Sequence, residues 1–218
     1  MMKRKLSNAG IPAAAAVLLG CCSVLFVSGC SGNKKASPFQ VIFSAAYVNE
    51  NAVAEYKTSL LGSIPELTVD GTAPLFTSMV VGESRNDPES GVIGGDPMMN
   101  MAGMMRMAAV VSTGEMDVFI SDMDNAARNA RGEMFMSLDR VFPGENLSAY
   151  DDRLLSFDIM TTDGNEPRPT GEKTPVCGIS ITGNAQMRRI FGDQEIGVFI
   201  VANTKNLETA KKIMRSLM

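Results

Sequence analysis

Apolar residues along this chain gather in short runs, and the segments between them show either helical spacing or loop composition. Phe39 to Val48 (FQVIFSAAYV) is rich in aromatic and branched residues, the pattern of a buried strand. Asn49 stands where it can cap a helix in which Val53, Tyr56, Leu60 and Leu61 recur at i, i+3, i+7 and i+8 on one face, and Pro65 ends that helix. Leu67 to Val69 and Leu75 to Val81 are strand candidates separated by the turn dipeptide Asp70-Gly71. Glu83 to Pro97 has loop composition throughout and is longer than most connections in compact domains. A helix is expected from about Met98 to Thr113, stopping at Gly114, and after it a short continuous apolar strand, Met116 to Ser121, ending at Asp122. Asp124 is expected to cap a short helix from Asn125 to Arg131. Phe157 to Met160 and Val176 to Ile181 read as strands around a polar loop, Thr161 to Thr174, and Ile196 to Ala202 reads as another strand. Asn206 then caps a final helix with Leu207, Ala210, Ile213, Met214 and Leu217 on its apolar face and Glu208 paired with Lys212 outside. Strands alternating with amphipathic helices predict an α/β fold, a three-layer sandwich with a mostly parallel central sheet. No internal repeat is present.

The N-terminus follows a different pattern. Lys3, Arg4 and Lys5 precede an apolar run from Ile11 to Val27, the charged and apolar regions of an export signal. The run ends in Val27-Ser28-Gly29-Cys30 and turns polar at Ser31-Gly32-Asn33-Lys34-Lys35, which resembles a lipobox. That resemblance implies that residues 1–29 are a cleaved signal peptide and that Cys30 receives a diacylglycerol and becomes the first residue of the mature chain. Leu18-Leu19-Gly20-Cys21 is a competing match, but cleavage there would leave the apolar Ser23 to Val27 at the start of the mature protein. An uncleaved anchor is the other alternative, since the run approaches membrane-spanning length. The organisation expected is a signal peptide (1–29), a lipidated cysteine with a flexible tether (30–38) and a single α/β domain (39–218). Two acyl chains suffice for stable anchoring, so the domain is expected on the extracytoplasmic face of the cell membrane.

Loss of residues 1–29 removes three of the 20 basic residues and none of the 24 acidic ones, so 17 remain against 24, a net charge of -7. Such an acidic balance argues against a nucleic-acid partner. Of the four cysteines, Cys21 and Cys22 leave with the signal and Cys30 is acylated on this reading, so Cys177 stands alone and no intrachain disulfide forms in the mature chain.

Two segments carry a family resemblance. Met105 to Leu138 (MRMAAVVSTGEMDVFISDMDNAARNARGEMFMSL) combines a helix ending at glycine, an Asp-Val-Phe strand ending in an acidic residue, and a helix leading to Ser137-Leu138-Asp139. Phe199 to Leu217 (FIVANTKNLETAKKIMRSL) combines a strand, an asparagine-containing loop and a helix opening on a Leu-Glu-Thr-Ala pattern. Together they resemble extracellular solute-binding proteins of ABC importers, and the lipobox agrees with that. The resemblance implies one lobe of a periplasmic-binding-protein-like fold, a small solute as ligand and an ABC permease as partner. The segment between Leu138 and Val176 is too short to form the second lobe of that family. A ligand site on such a lobe is expected at the carboxyl ends of the parallel strands: Ala46 and Tyr47 after the first, Asp122 and Met123 after the third, Asn203 and Thr204 after the last. The alternative is an envelope lipoprotein that contacts another protein and binds no small molecule.

Other constellations point to ordinary packing. Met98, Met99, Met101, Met104, Met105 and Met107 crowd one segment, and thioethers are soft ligands that favour Cu(I). The simpler expectation is a packed helix with Met101, Met104, Met105, Ala108 and Val111 on its apolar side and no metal, since methionine is frequent elsewhere in the chain too. Gly91 to Gly95 lacks a phosphate-cradling pattern. With no histidine in the chain there is no Ser-His or Cys-His pair, and Cys177 in an apolar strand reads as a small buried hydrophobe, so neither enzyme activity nor a cofactor is expected. Asp117, Asp122 and Asp124 lack the ligand spacing of an EF-hand.

Overall fold

A computed structural model describes residues 38–68, 71–82, 97–161 and 167–218. The expected signal peptide, Cys30 and most of the Glu83 to Pro97 loop lie outside the described residues.

The first strand, β1 (Gln40–Ala45), is buried at every position, as its continuous apolar run requires. Its alternation sends Val41, Phe43 and Ala45 into one core and Ile42 into another, so both faces of the sheet are covered. Helix α1 (Glu50–Ser63) follows. The Asn49 side chain accepts from the backbone amides of Asn51 at 3.1 Å and Ala52 at 3.2 Å, the cap expected of it, worth about 1 kcal/mol. Val53, Tyr56 and Leu60 are buried on the expected face. Pro65–Leu67 forms a 3-10 turn that takes in Leu67, the first residue of the expected Leu67 to Val69 strand, because Pro65 fixes a turn-compatible backbone and the Leu67 amide bonds back to the Ile64 carbonyl; Val69 lies outside the described residues. Strand β2 (Leu75–Val80) lies parallel to β1, with Gln40 beside Leu75 and Ala45 beside Val80.

Helix α2 (Pro97–Thr113) lies where it was expected and ends before Gly114, whose φ of 64° suits glycine at a helix C-terminus. Its orientation differs from the expectation. Gly103, Met107 and Val110 face the sheet, and a Cβ on Gly103 would stand 2.5 Å from the Val80 carbonyl oxygen. Met101, Met104, Met105 and Val111, expected in the core, are exposed. The close approach at Gly103 fixes which side faces inward.

Strand β3 (Val118–Asp122) runs directly into α3 (Met123–Arg131). The cap of α3 is Asp122, whose Oδ1 accepts from the Asn125 amide at 2.8 Å, and Asp124, expected in that role, is exposed in the first turn. Beyond it come a single turn α4 (Leu138–Val141), a 3-10 segment Ser148–Arg153 and the short strands β4 (Leu154–Leu155) and β5 (Asp158–Met160). Part of the expected polar loop is the strand β6 (Pro169–Lys173), which is exposed throughout and pairs antiparallel with β5 in a separate two-stranded sheet. Strand β7 (Gly178–Ser180) precedes α5 (Ala185–Phe191), capped by Asn184. Strand β8 (Ile196–Ile200) and α6 (Leu207–Leu217) close the chain. Asn206 precedes α6 without a side-chain cap bond, and Lys212 pairs with Glu66 at 2.5 Å, not with Glu208, which is joined by Lys211 at 3.1 Å.

The main sheet has the order β2-β1-β3-β8-β7-β4. Its β2-β1-β3 half is parallel, as expected, and the β8-β7-β4 half is antiparallel, which makes the sheet mixed. Helices α1, α5 and α6 pack on one face around Phe43, Ile120 and Val198. Helices α2 and α3 pack on the other around Ile42, Phe119 and Phe199. The three layers are those of an α/β sandwich.

On the second face the Phe199 ring rests on two glycines. Gly178 is directly opposite it on β7, Gly197 is two residues before it on β8, and Phe135 stacks on it at 4.4 Å between centroids with planes 19° apart.

Candidate functional site

The residues expected to form a single strand-end site are divided between two ends of the sheet. Because β1 and β3 are parallel, Ala46 and Tyr47 lie beside Asp122 and Met123 at one end. Since β8 runs antiparallel to β3, Asn203 and Thr204 emerge at the other end, next to the start of β3. Strand direction decides the matter, and an apolar run does not encode it.

At the first end Tyr47 is exposed, and its carbonyl oxygen accepts from Gln194 Nε2 at 3.0 Å. Asp122 uses both carboxylate oxygens internally. Oδ1 accepts from the Asn125 amide, and Oδ2 accepts from the Ala46 amide at 3.1 Å and from Asn125 Nδ2 at 3.2 Å. Asn125 in turn donates to the Val81 carbonyl at 2.7 Å. Burial is the largest influence on the Asp122 carboxyl and raises its pKa, with the Asn125 and Ala46 hydrogen bonds opposing it. The carboxylate therefore ties the exit of β1 to the entry of α3, and little of its hydrogen-bonding capacity remains for a solute. Met123 opens α3 half-buried.

At the second end a groove of about 220 Å³ is lined by residues of three segments: Val111, Gly114 and Met116; Gly132, Glu133 and Met134; Val201, Ala202 and Asn203. Met116 and Val201 are buried and form an apolar floor, while Glu133 and Asn203 are exposed. The Asn203 amide nitrogen would stand 3.0 Å from a Cβ on Gly114, so the bare α-carbon there makes room for the amide. Glu133 has a φ of 55°, the left-handed region, uncommon outside glycine and asparagine. Its amide bonds to the Ala130 carbonyl at 3.0 Å, so the residue closes the turn after α3. Asp117 supports this end from below. It is buried and accepts from the Gln40 amide at 2.9 Å, Thr204 Oγ1 at 2.5 Å and Asn206 Nδ2 at 3.1 Å. These bonds fix the loop that carries Asn203.

Sequence pattern named Asn203 but missed Glu133 and the groove, whose walls come from segments about 20 and 70 residues apart. A glutamate after a helix-ending glycine (Gly132-Glu133) was the available signal.

A third feature lies between α1 and α5, a depression of about 250 Å³ lined by Ala52, Glu55, Tyr56, Ser59, Gln186 and Arg189, with Glu55 and Arg189 joined by an ion pair. Both charged partners are well exposed, so the pair contributes little to stability.

Cys177 is buried and its thiol is pushed up to about 11, chiefly by burial and against a Thr174 hydrogen bond, so the thiolate is disfavoured in the folded protein. Among the described residues no group of three or more His, Cys, Asp or Glu side chains is placed to hold a metal ion. Also among them, no helix is long and apolar enough to cross a membrane. Comparison with protein-family models, with curated proteins and with solved structures finds no match to this chain.

Proposed function

We propose that this chain is an exported lipoprotein, tethered through Cys30 to the extracytoplasmic face of the membrane, whose α/β domain binds a small polar solute. The observation that carries the binding reading is the groove at Asn203, where two exposed polar side chains, Asn203 and Glu133, stand over an apolar floor. Ligand sites combine a mostly apolar concavity with a few placed polar groups. At about 220 Å³ the groove is smaller than the roughly 300–1,000 Å³ of drug-sized pockets, which limits the solute to about the size of an amino acid. Its carboxylate and amide suit a solute bearing an amine or hydroxyls. The resemblance of Met105 to Leu138 and Phe199 to Leu217 to solute-binding proteins supports this reading and names an ABC permease as a candidate partner.

Thermal shift of the full chain in detergent, against amino acids, sugars and short peptides, tests the reading, because a ligand selective for the native state raises its stability by mass action. A responding solute is expected to lose its effect in Asn203→Ala and to keep it in Tyr47→Ala. The opposite pattern would move the site to the other end of the sheet. Palmitate labelling tests the tether: Cys30→Ala is expected to lose the label and Cys21→Ala to keep it, and label retained in Cys30→Ala would overturn the assignment.

One observation favours a second reading, contact with another envelope protein. Among the described residues strand β2 is an outer strand of the main sheet, its residues (LFTSMV) include no charge, and Leu75 and Val80 are exposed on it. An uncharged edge of that length accepts a further strand by backbone pairing. Failure of every solute to stabilise the chain would move the assignment to this reading.

A further inference from the structure

We infer that the exposed methionine face of α2 is a binding site for a soft monovalent metal ion, Cu(I) or its analogue Ag(I), which goes beyond the solute-binding reading and uses different residues. Met98, Met101, Met104 and Met105 are 79%, 57%, 45% and 66% exposed, and they are four of the nine exposed large hydrophobics in the described residues. The core does not account for them. The helix cannot roll to bury them, because Gly103 on its inner side approaches the Val80 carbonyl so closely that no side chain fits there.

Spacing brings the sulfurs together. Met101 has Met104 at i+3 and Met105 at i+4, and Met98 precedes it by three residues, so Met101 neighbours all three others on the helix surface. Cβ atoms at such spacings lie about 5–6 Å apart. Methionine carries three rotatable bonds and no branch, so neighbouring sulfurs can turn toward one shared ion.

The donor chemistry selects the ion. Thioethers are neutral and soft, which favours Cu(I) over Zn(II) or Cu(II), ions that take imidazole or carboxylate. The chain contains no histidine, and Cys177 is buried, so the soft donors that stand exposed in the described residues are these thioethers, while Met107, Met123, Met134, Met160 and Met218 are half-buried. Leucine would serve equally as an apolar helix former, and what methionine adds is sulfur. Met98 makes an interaction of its own, so the site rests on Met101, Met104 and Met105, and Met104 has a competitor: Arg128 Nη1 lies 3.9 Å from its Sδ. That contact is long and exposed, and rotation of either side chain releases the sulfur. Because thioethers do not titrate, binding releases no proton from the site, and affinity is flat with pH where a cysteine or histidine site would tighten as pH rises.

The test is a competition of the full chain in detergent against a chromophoric Cu(I) chelator, under anaerobic reducing conditions, with the accessible thiols first capped by N-ethylmaleimide and the buried Cys177 left closed in the fold. The expected result is one Cu(I) retained per chain with the same affinity at pH 5.5 and pH 7.5. Met101→Leu/Met104→Leu/Met105→Leu is expected to weaken it at least tenfold with an unchanged circular dichroism spectrum. No retained Cu(I), retention equal in the triple variant, or an affinity that climbs with pH would each overturn the site. Should the triple variant fail to fold, the methyl resonances of Met101, Met104 and Met105 in the wild type provide the second readout. Ag(I) is expected to shift them, and resonances that stay in place would overturn the site equally.

Discussion

Replacing Gly178 with alanine would drive a methyl carbon against the edge of the Phe199 ring. The new Cβ would fall 2.2 Å from Cε1, 2.4 Å from Cδ1 and 3.1 Å from Cζ, whereas carbon atoms in contact prefer about 3.5–4.0 Å. The ring would have to retreat by more than about 1 Å to reach that separation. Retreat is blocked, because Phe199 is fully buried with Phe135 stacked at 4.4 Å and Phe157 at 6.1 Å. Overpacking of this kind costs about 1–3 kcal/mol. At roughly 2–4 °C per kcal/mol for a domain of this size, a cost near 2 kcal/mol lowers the melting temperature by about 4–8 °C. The clash also predicts coupling: Phe199→Leu removes the ring that the methyl strikes, so in the double variant the two costs add to less than their sum by at least about 0.5 kcal/mol. Urea unfolding of the wild type, both single variants and the double variant measures all four corners. A Gly178→Ala protein within about 0.5 kcal/mol of wild type, or strictly additive costs, would refute the account of the glycine seat.

Two further outcomes follow from the ionisable groups. Burial raises the Asp122 pKa, so folding favours the protonated carboxyl; the resulting stabilisation is fully present below the unfolded value of about 3.9 and is lost as pH rises through the folded value. The stability difference between wild type and Asp122→Asn, followed by urea unfolding from pH 3 upward, should therefore decline as pH rises through that window, and a difference that grows with pH would contradict it. With its thiol near 11, Cys177 has a thiolate fraction of about one in a thousand at pH 8, so peptide mass spectrometry should find its alkylation by iodoacetamide far slower in the folded chain than in urea. Equal rates in the two states would show that the site is not closed.

The elements legible in the sequence were those whose burial is one-sided or complete. β1, β3 and β8 are fully or almost fully buried and read as continuous apolar runs, while α1 and α6 carry apolar stripes at helical spacing. β6 was hidden because all five of its residues are exposed, so its composition is that of a loop. The orientation of α2 was hidden for the opposite reason: a segment dense in methionine and alanine has no polar side to mark the solvent, and a backbone contact at Gly103 sets its inner face. The short helix α5 had its signal, with Asn184 before Met187, Ile190 and Phe191, but a helix of about two turns is easily passed over. The candidate site was half legible. Asn203 was named from its position after a strand, and its separation from Tyr47 and Asp122 depends on β8 running against β3, a property of the assembled sheet.

Strand β3 has an aspartate at each end of its span, and each holds the neighbouring strand by a main-chain amide: Asp117 takes the amide of Gln40 at the start of β1, and Asp122 takes that of Ala46 just beyond its end. The two carboxylates work as a gauge of fixed length laid alongside β1. One residue inserted into or deleted from either strand would leave one carboxylate facing the wrong amide and would turn the following side chains to the opposite face. Viable length changes in this part of the molecule must therefore arise as matched pairs in 40–46 and 117–122, or be confined to the connections between them. A library of single-codon insertions is expected to show 40–46 and 117–122 as intolerant windows, with tolerance returning in the connections that flank them.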